Sequence, residues 1–120
     1  MVVLVDTSIW INHFRQKDRH LETLLNEMVI AVHPYTIAEL SLEQLKNRRE
    51  ILSLMRALPE ATLVSQEELM HFIEHRHLAS SSIGFVDAHL LASIELMRGL
   101  LWTGDKSLRL AADELGLSYN

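Results

Sequence analysis

The sequence predicts a three-layer α/β/α domain built on a mostly parallel sheet of four to five strands. Short apolar runs recur along the chain, and a stretch with helical apolar spacing follows most of them. Strands that alternate with helices pair in parallel, with right-handed crossovers that place helices on both faces. With 120 residues, 48% of them apolar, the chain is long enough for one core and reads as a single domain over residues 1–120.

Residues 2–5, β-branched apart from Leu4, form the first predicted strand, covered on both faces. Thr7 or Ser8 starts a helix carrying Ile9, Trp10, Ile11 and Phe14. Helical residues 21–26 lead to a second strand over 29–32, which Pro34 stops. Thr36 opens a long helical region with Ile37, Leu40, Leu42 and Leu45, which breaks near Asn47 and resumes through Ile51, Leu52, Met55 and Leu58. After Pro59, residues 61–64 read as a third strand. Ser65 with Glu68 is a capping-box pair opening a helix to about Ala79. Past Ser80-Ser81-Ser82 and Gly84, the residues Val86, Leu90, Leu91, Ile94 and Met97 form a helical stripe. Gly99 suits the position just beyond that helix. Residues 100–103 are a fourth strand, 105–115 a last helix ended by Gly116, and 117–119 a short final strand.

Acidic residues stand where these elements meet. Asp6 ends the first strand, Glu39 follows the second, Asp87 lies near the start of a helix and Asp105 lies just past the fourth strand. In a parallel α/β sheet the strand ends that lead into helices share one edge, so such acids can converge there. Converging carboxylates bind hard divalent cations, and paired ions drive phosphodiester hydrolysis. Singly, each acid has a structural explanation: Thr36-x-x-Glu39 is itself a capping-box pattern, Asp6 and Asp105 suit N-caps, and Asp87 suits a first helical turn. As a set without a cation they would repel one another. Thr7, Ser8 and Thr103 are short hydroxyl side chains placed to orient the carboxylates.

The strand–Asp-Thr-Ser opening, the helix-borne Glu39, Asp87 and the strand–Thr-Gly-Asp at 103–105 resemble the PIN-domain ribonucleases. The closest likeness is to the VapC-type toxins of toxin–antitoxin pairs. The similarity spans the whole chain. It implies a PIN-like fold with Asp6, Glu39, Asp87 and Asp105 as catalytic, metal-binding carboxylates and Thr103 supporting them. It also implies Mg²⁺ or Mn²⁺ dependence, an RNA substrate, a cognate antitoxin and a homodimer. Glu43, one turn beyond Glu39, is a candidate fifth acid, and Arg109 stands where relatives sometimes carry another.

Other readings compete. An acidic pocket on such a sheet also suits an aspartyl phosphatase, whose second Asp is here Ser8, or a receiver domain, whose paired acids are missing. A non-catalytic module on the same fold is a further alternative. His71 and His75 have zinc-ligand spacing, but they fall opposite Leu69, Phe72 and Ile73 and read as a solvent-facing stripe. His89 reads as a surface residue rather than an RNA contact, and Trp10, Trp102 and Phe85 as core rather than base-stacking platforms.

A net charge of −5 disfavours simple nucleic-acid binding, an objection that two bound divalent ions would largely offset. Lys46, Arg48 and Arg49 are candidate RNA contacts, with an ordinary solvated loop as the alternative. The apolar surplus between Thr36 and Leu58 suggests a dimer face, unless a helical hairpin packs it internally. Absence of cysteine, of a membrane-length apolar run and of a basic leader predicts a cytoplasmic protein.

Overall fold

The computed structural model describes residues 1–120. The elements run β1 (Val3–Val5), α1 (Thr7–Arg15), α2 (Arg19–Asn26), β2 (Ile30–Ala31), α3 (Pro34–Ser41) and α4 (Arg48–Ala57). There follow α5 (Gln66–His75), a 3₁₀ turn (Leu78–Ser80), α6 (Phe85–Met97), β3 (Leu100–Trp102) and α7 (Lys106–Leu115). β1 is central, with β2 and β3 parallel on either side. Val3 lies opposite both Ile30 and Leu100, and Leu4 opposite both Ala31 and Leu101.

Strand alternation divides the interior into two cores. Leu4 points into one with Leu69, Phe72, Leu90, Leu91, Ile94 and Leu108 of α5, α6 and α7. Val3 and Val5 point into the other with Trp10, Leu21, Leu40, Leu52 and Met55 of α1 to α4. All three β1 residues are fully buried. Burial of an aliphatic side chain contributes about 1.5–3 kcal/mol, so this short strand anchors both layers.

The sheet is narrower than the apolar runs predict. Its two outer strands are reduced to single bridges, Val32 with Glu60 and Leu101 with Ser118. After the Ala61 N–H donates to the Val32 carbonyl, the chain peels away, and the Thr62 carbonyl accepts from Ser93 Oγ instead. The long helix expected from Thr36 is in fact α3, which starts at Pro34 and stops at Ser41. His33, rather than Thr36, caps it: Nδ1 accepts the Tyr35 N–H at 3.0 Å. The helix opening at Ser65 has the predicted capping box but ends at His75, before the 3₁₀ turn.

The helical hairpin α3–α4 packs most of the apolar surplus internally. Leu40, Leu52 and Met55 are buried, and Ile37, Leu45, Ile51 and Leu58 pack against them, leaving Leu42 and Leu54 strongly exposed. Arg48 clasps the hairpin by donating Nε and Nη2 to the Ser41 carbonyl.

Gly99 is not the left-handed residue after α6; Arg98 takes that conformation with φ of 57°. The glycine is required by proximity. A Cβ there would sit 2.4 Å from the Val2 carbonyl oxygen and 2.6 Å from Ile94 Cδ1. Backbone cannot yield as a flexible side chain can, so Gly99→Ala should destabilise the protein by roughly 1–3 kcal/mol. A urea midpoint unchanged from wild type would refute that close approach.

Candidate active site

Asp6, Glu39, Asp87 and Asp105 come from the end of β1, from α3, from the first turn of α6 and from the start of α7. Asp6 follows β1 directly, and its N–H donates to the Trp102 carbonyl, tying the ends of β1 and β3 together. Asp6 is only 7% exposed. Oδ1 accepts the Thr7 N–H at 2.7 Å, while Oδ2 accepts the Thr103 hydroxyl at 2.6 Å and the Ser8 hydroxyl at 3.2 Å. A carboxylate with this many donors is held in one orientation.

Thr103 joins two of the acids. Its hydroxyl donates to Asp6 and accepts the Asp105 N–H at 3.0 Å. Asp105 then caps α7 through Oδ1, which accepts the Leu108 N–H at 2.9 Å, leaving Oδ2 without a protein donor. The structural reading of Asp105 as an N-cap is correct, and it leaves that second oxygen for other use. Ser8 accepts the Gly104 N–H, closing the loop over Asp6. Glu39 is reached from the other side: the Thr7 hydroxyl donates to Oε1 at 2.5 Å. The expected supporting residues Thr7, Ser8 and Thr103 therefore all contact the acids.

Asp87 reveals the mutual proximity of the set. Burial is the main influence raising its pKa from 3.8 to about 6, and the negative charges of Asp6, Asp105 and Glu39 add to it. A hydrogen bond from the Gly84 backbone opposes them. The donor set is wholly carboxylate oxygen, the chemistry that hard divalent cations take, and a cation would relieve the repulsion. The acids stand as neighbours and not as a closed cage, since no three His, Asp or Glu side chains are drawn around a common point.

The remaining sequence candidates separate from this cluster. Glu43 lies just past α3 and makes no hydrogen bond to the acids. Arg48 is committed to the α3–α4 hairpin, and Lys46 and Arg49 are solvent-exposed. His71 and His75 are exposed, with stacked rings. They line a surface groove of about 640 Å³ between α5 and α6, which includes none of the four acids. Trp10 is core, and Trp102 is half-buried against the same apolar cluster.

Two aromatic expectations are reversed. His89 is 2% exposed, because its place on α6 points inward to His33 and Tyr35. Phe85, placed at the first position of α6, is 57% exposed. Sequence reasoning missed this ring cluster beside the acids. Its signal was helical spacing: Phe85 lies one turn before His89, and Tyr35 one turn before Glu39.

The pKa directions predict opposed pH responses. The folded chain holds the Asp87 proton more tightly than the unfolded chain, so in chelator its contribution to stability falls as pH rises from 3.8 to about 6. Buried His33, lowered from 6.5 to about 4 chiefly by desolvation, acts oppositely and costs stability as pH falls through that range. Asp87→Asn should therefore be more stable than wild type at pH 7 in EDTA, with the difference closing below about pH 4. Melting curves across this range test it; a variant less stable at pH 7 would contradict the repulsion.

Residues 3–114 match the model of the PIN domain. Ribonuclease VapC32 of Mycobacterium tuberculosis, from strains CDC 1551 / Oshkosh and ATCC 25618 / H37Rv, is 39% identical over 118 residues, covering 98% of this chain and 95% of that protein. The crystal structure of FitAcB from Neisseria gonorrhoeae superposes with a TM-score of 0.61 at 15% identity, covering 93% of this chain and 94% of that one, a likeness of fold. The chain belongs to the PIN domain family and, within it, to the VapC type.

Proposed function

We propose that this chain is an endoribonuclease that hydrolyses RNA phosphodiesters at Asp6, Glu39, Asp87 and Asp105 with Mg²⁺ or Mn²⁺ bound, and that it is the toxin of a type II toxin–antitoxin pair in the cytoplasm. The observation that carries the reading is the joining of acids from separate elements by shared partners: Thr103 links Asp6 to Asp105, and Thr7 links Asp6 to Glu39. The 39% identity to a protein named a ribonuclease supports the reaction class, and the VapC likeness supports an antitoxin partner.

Asp6, Glu39, Asp87 and Asp105 would hold the ion. When bound, it supplies Lewis acidity toward water and the phosphoryl oxygens. The chain contributes fixed geometry. Thr103 sets the relative positions of Asp6 and Asp105, and Thr7 orients Glu39 while its backbone N–H holds Asp6. Asp87 enters from α6, so its approach depends on how α6 is seated on the sheet. Such preorganisation lowers the reorganisation needed at the moment of reaction.

Purified protein should cleave total RNA with Mg²⁺ or Mn²⁺ and lose that activity in EDTA. Asp6→Ala or Asp87→Ala should reduce cleavage by at least about 10²-fold, the scale on which single electrostatic groups act. Products should carry a 5′-phosphate and a 3′-hydroxyl; a 2′,3′-cyclic phosphate would point to attack by the RNA itself and overturn the reading.

The same reading includes a homodimer, supported by Leu42 and Leu54, which are 85% and 60% exposed on the α3–α4 hairpin. Pairing that face in a second copy would add Lys46 and Arg49 of both chains to an RNA-binding groove, while Arg48 holds the hairpin that presents them. Leu54→Glu should shift sedimentation at micromolar concentration toward monomer; a wild-type protein that is itself monomeric and still cleaves RNA would refute the dimer.

A further inference from the structure

We propose that Phe85, buttressed by Tyr35 and His89, is a stacking platform for a nucleobase of single-stranded RNA beside the scissile phosphate. The proposal rests on the nuclease reading above and gives that site a means of holding its substrate.

Four aromatic rings converge from α3 and α6. His33 is fully buried and meets Tyr35 edge-on with centroids 5.1 Å apart. His89, also buried, is nearly perpendicular to both Tyr35 at 4.9 Å and Phe85 at 4.7 Å. Tyr35 and Phe85 are close to parallel, at 26° and 6.2 Å. The cluster is thus rooted in the interior and reaches solvent at Phe85, which is 57% exposed. Interior core needs no such ring at the first position of a helix, and leaving it in water forgoes its burial energy.

Position supplies the occupant. Phe85 is the first residue of α6, and Asp87 stands two residues on in that same first turn. Tyr35 lies one helical turn before Glu39 on α3. Both rings therefore flank candidate carboxylates on adjoining elements. RNA held with a phosphate at those acids presents its neighbouring bases within a nucleotide's length. A net charge of −5 also gives the chain little overall attraction for a polyanion. Base stacking is independent of that charge and tolerates any base. A ring already fixed by neighbours loses little entropy when a base settles on it.

Steady-state cleavage of a randomised single-stranded RNA pool in Mg²⁺ tests the platform. Stacking on an aromatic ring is worth about 1–3 kcal/mol, or roughly 5- to 150-fold in affinity. Phe85→Ala should raise the apparent KM by an amount in that range while kcat changes by less than about threefold. Phe85→Trp should restore the wild-type KM, and Phe85→Leu, which keeps apolar area without a π face, should not. An unchanged melting temperature in Phe85→Ala would exclude a folding defect. An abasic nucleotide stepped through an oligomer that the wild type cuts should reproduce the loss at one position next to the cut and add nothing in Phe85→Ala.

Cleavage by wild type with unaltered KM in Phe85→Ala overturns the platform and leaves the nuclease reading intact. Unaltered KM together with lost self-association assigns the ring to a protein contact instead. No divalent-dependent cleavage by wild type overturns both.

Discussion

Parallel pairing of one three-residue strand with neighbours on both sides is the constraint on which the rest of the structure depends. It aligns the ends of β1 and β3, so that Asp6 and Thr103 meet through a hydrogen bond between residues 97 positions apart in sequence. It also sends Leu4 to one face and Val3 and Val5 to the other, so the α5–α7 and α1–α4 layers are seated on the same few atoms. A shift of β1 by one residue would exchange those faces and withdraw Asp6 from the edge. The complete burial of β1 is what sustains so short a segment.

Concentrating carboxylates on that edge works against stability, and the chain divides the cost among kinds of support. Asp6 is the most buried of the acids and has the most donors. Asp105 is more exposed and lends one oxygen to its own helix. Asp87 has burial without comparable donors, and the raised pKa falls there. Hydroxyls and backbone amides orient these groups without adding a positive charge that would compete with a cation. No arginine or lysine forms an ion pair with any of the acids; the two ion pairs of the chain are Lys17–Glu22 and Arg76–Glu95.

Much of this was legible in the residues. The strand–Asp-Thr-Ser and strand–Thr-Gly-Asp junctions mark two of the acids and their hydroxyl partners, because local spacing alone delivers acid and hydroxyl to a strand end. The parallel sheet followed from alternation. What failed was what depends on tertiary partners. Residues 61–64 have strand propensity, but pairing ends once the Thr62 carbonyl goes to Ser93. Thr36 resembles a cap, yet His33 takes that role with its imidazole, an uncommon cap that side-chain statistics do not favour. His89 and Phe85 were exchanged between surface and core, since α6 is apolar around much of its circumference and its pattern gives no clear facing direction.

The narrow sheet also bears on how this protein meets other proteins. Its outer limits are lone bridges at Glu60 and Ser118, with a proline at 59 and the last helix at 106–115 close by in sequence. An incoming peptide finds only a residue or two of ladder at either margin, too little to dock by extending the sheet. The same brevity leaves folded copies little open edge on which to pair with one another.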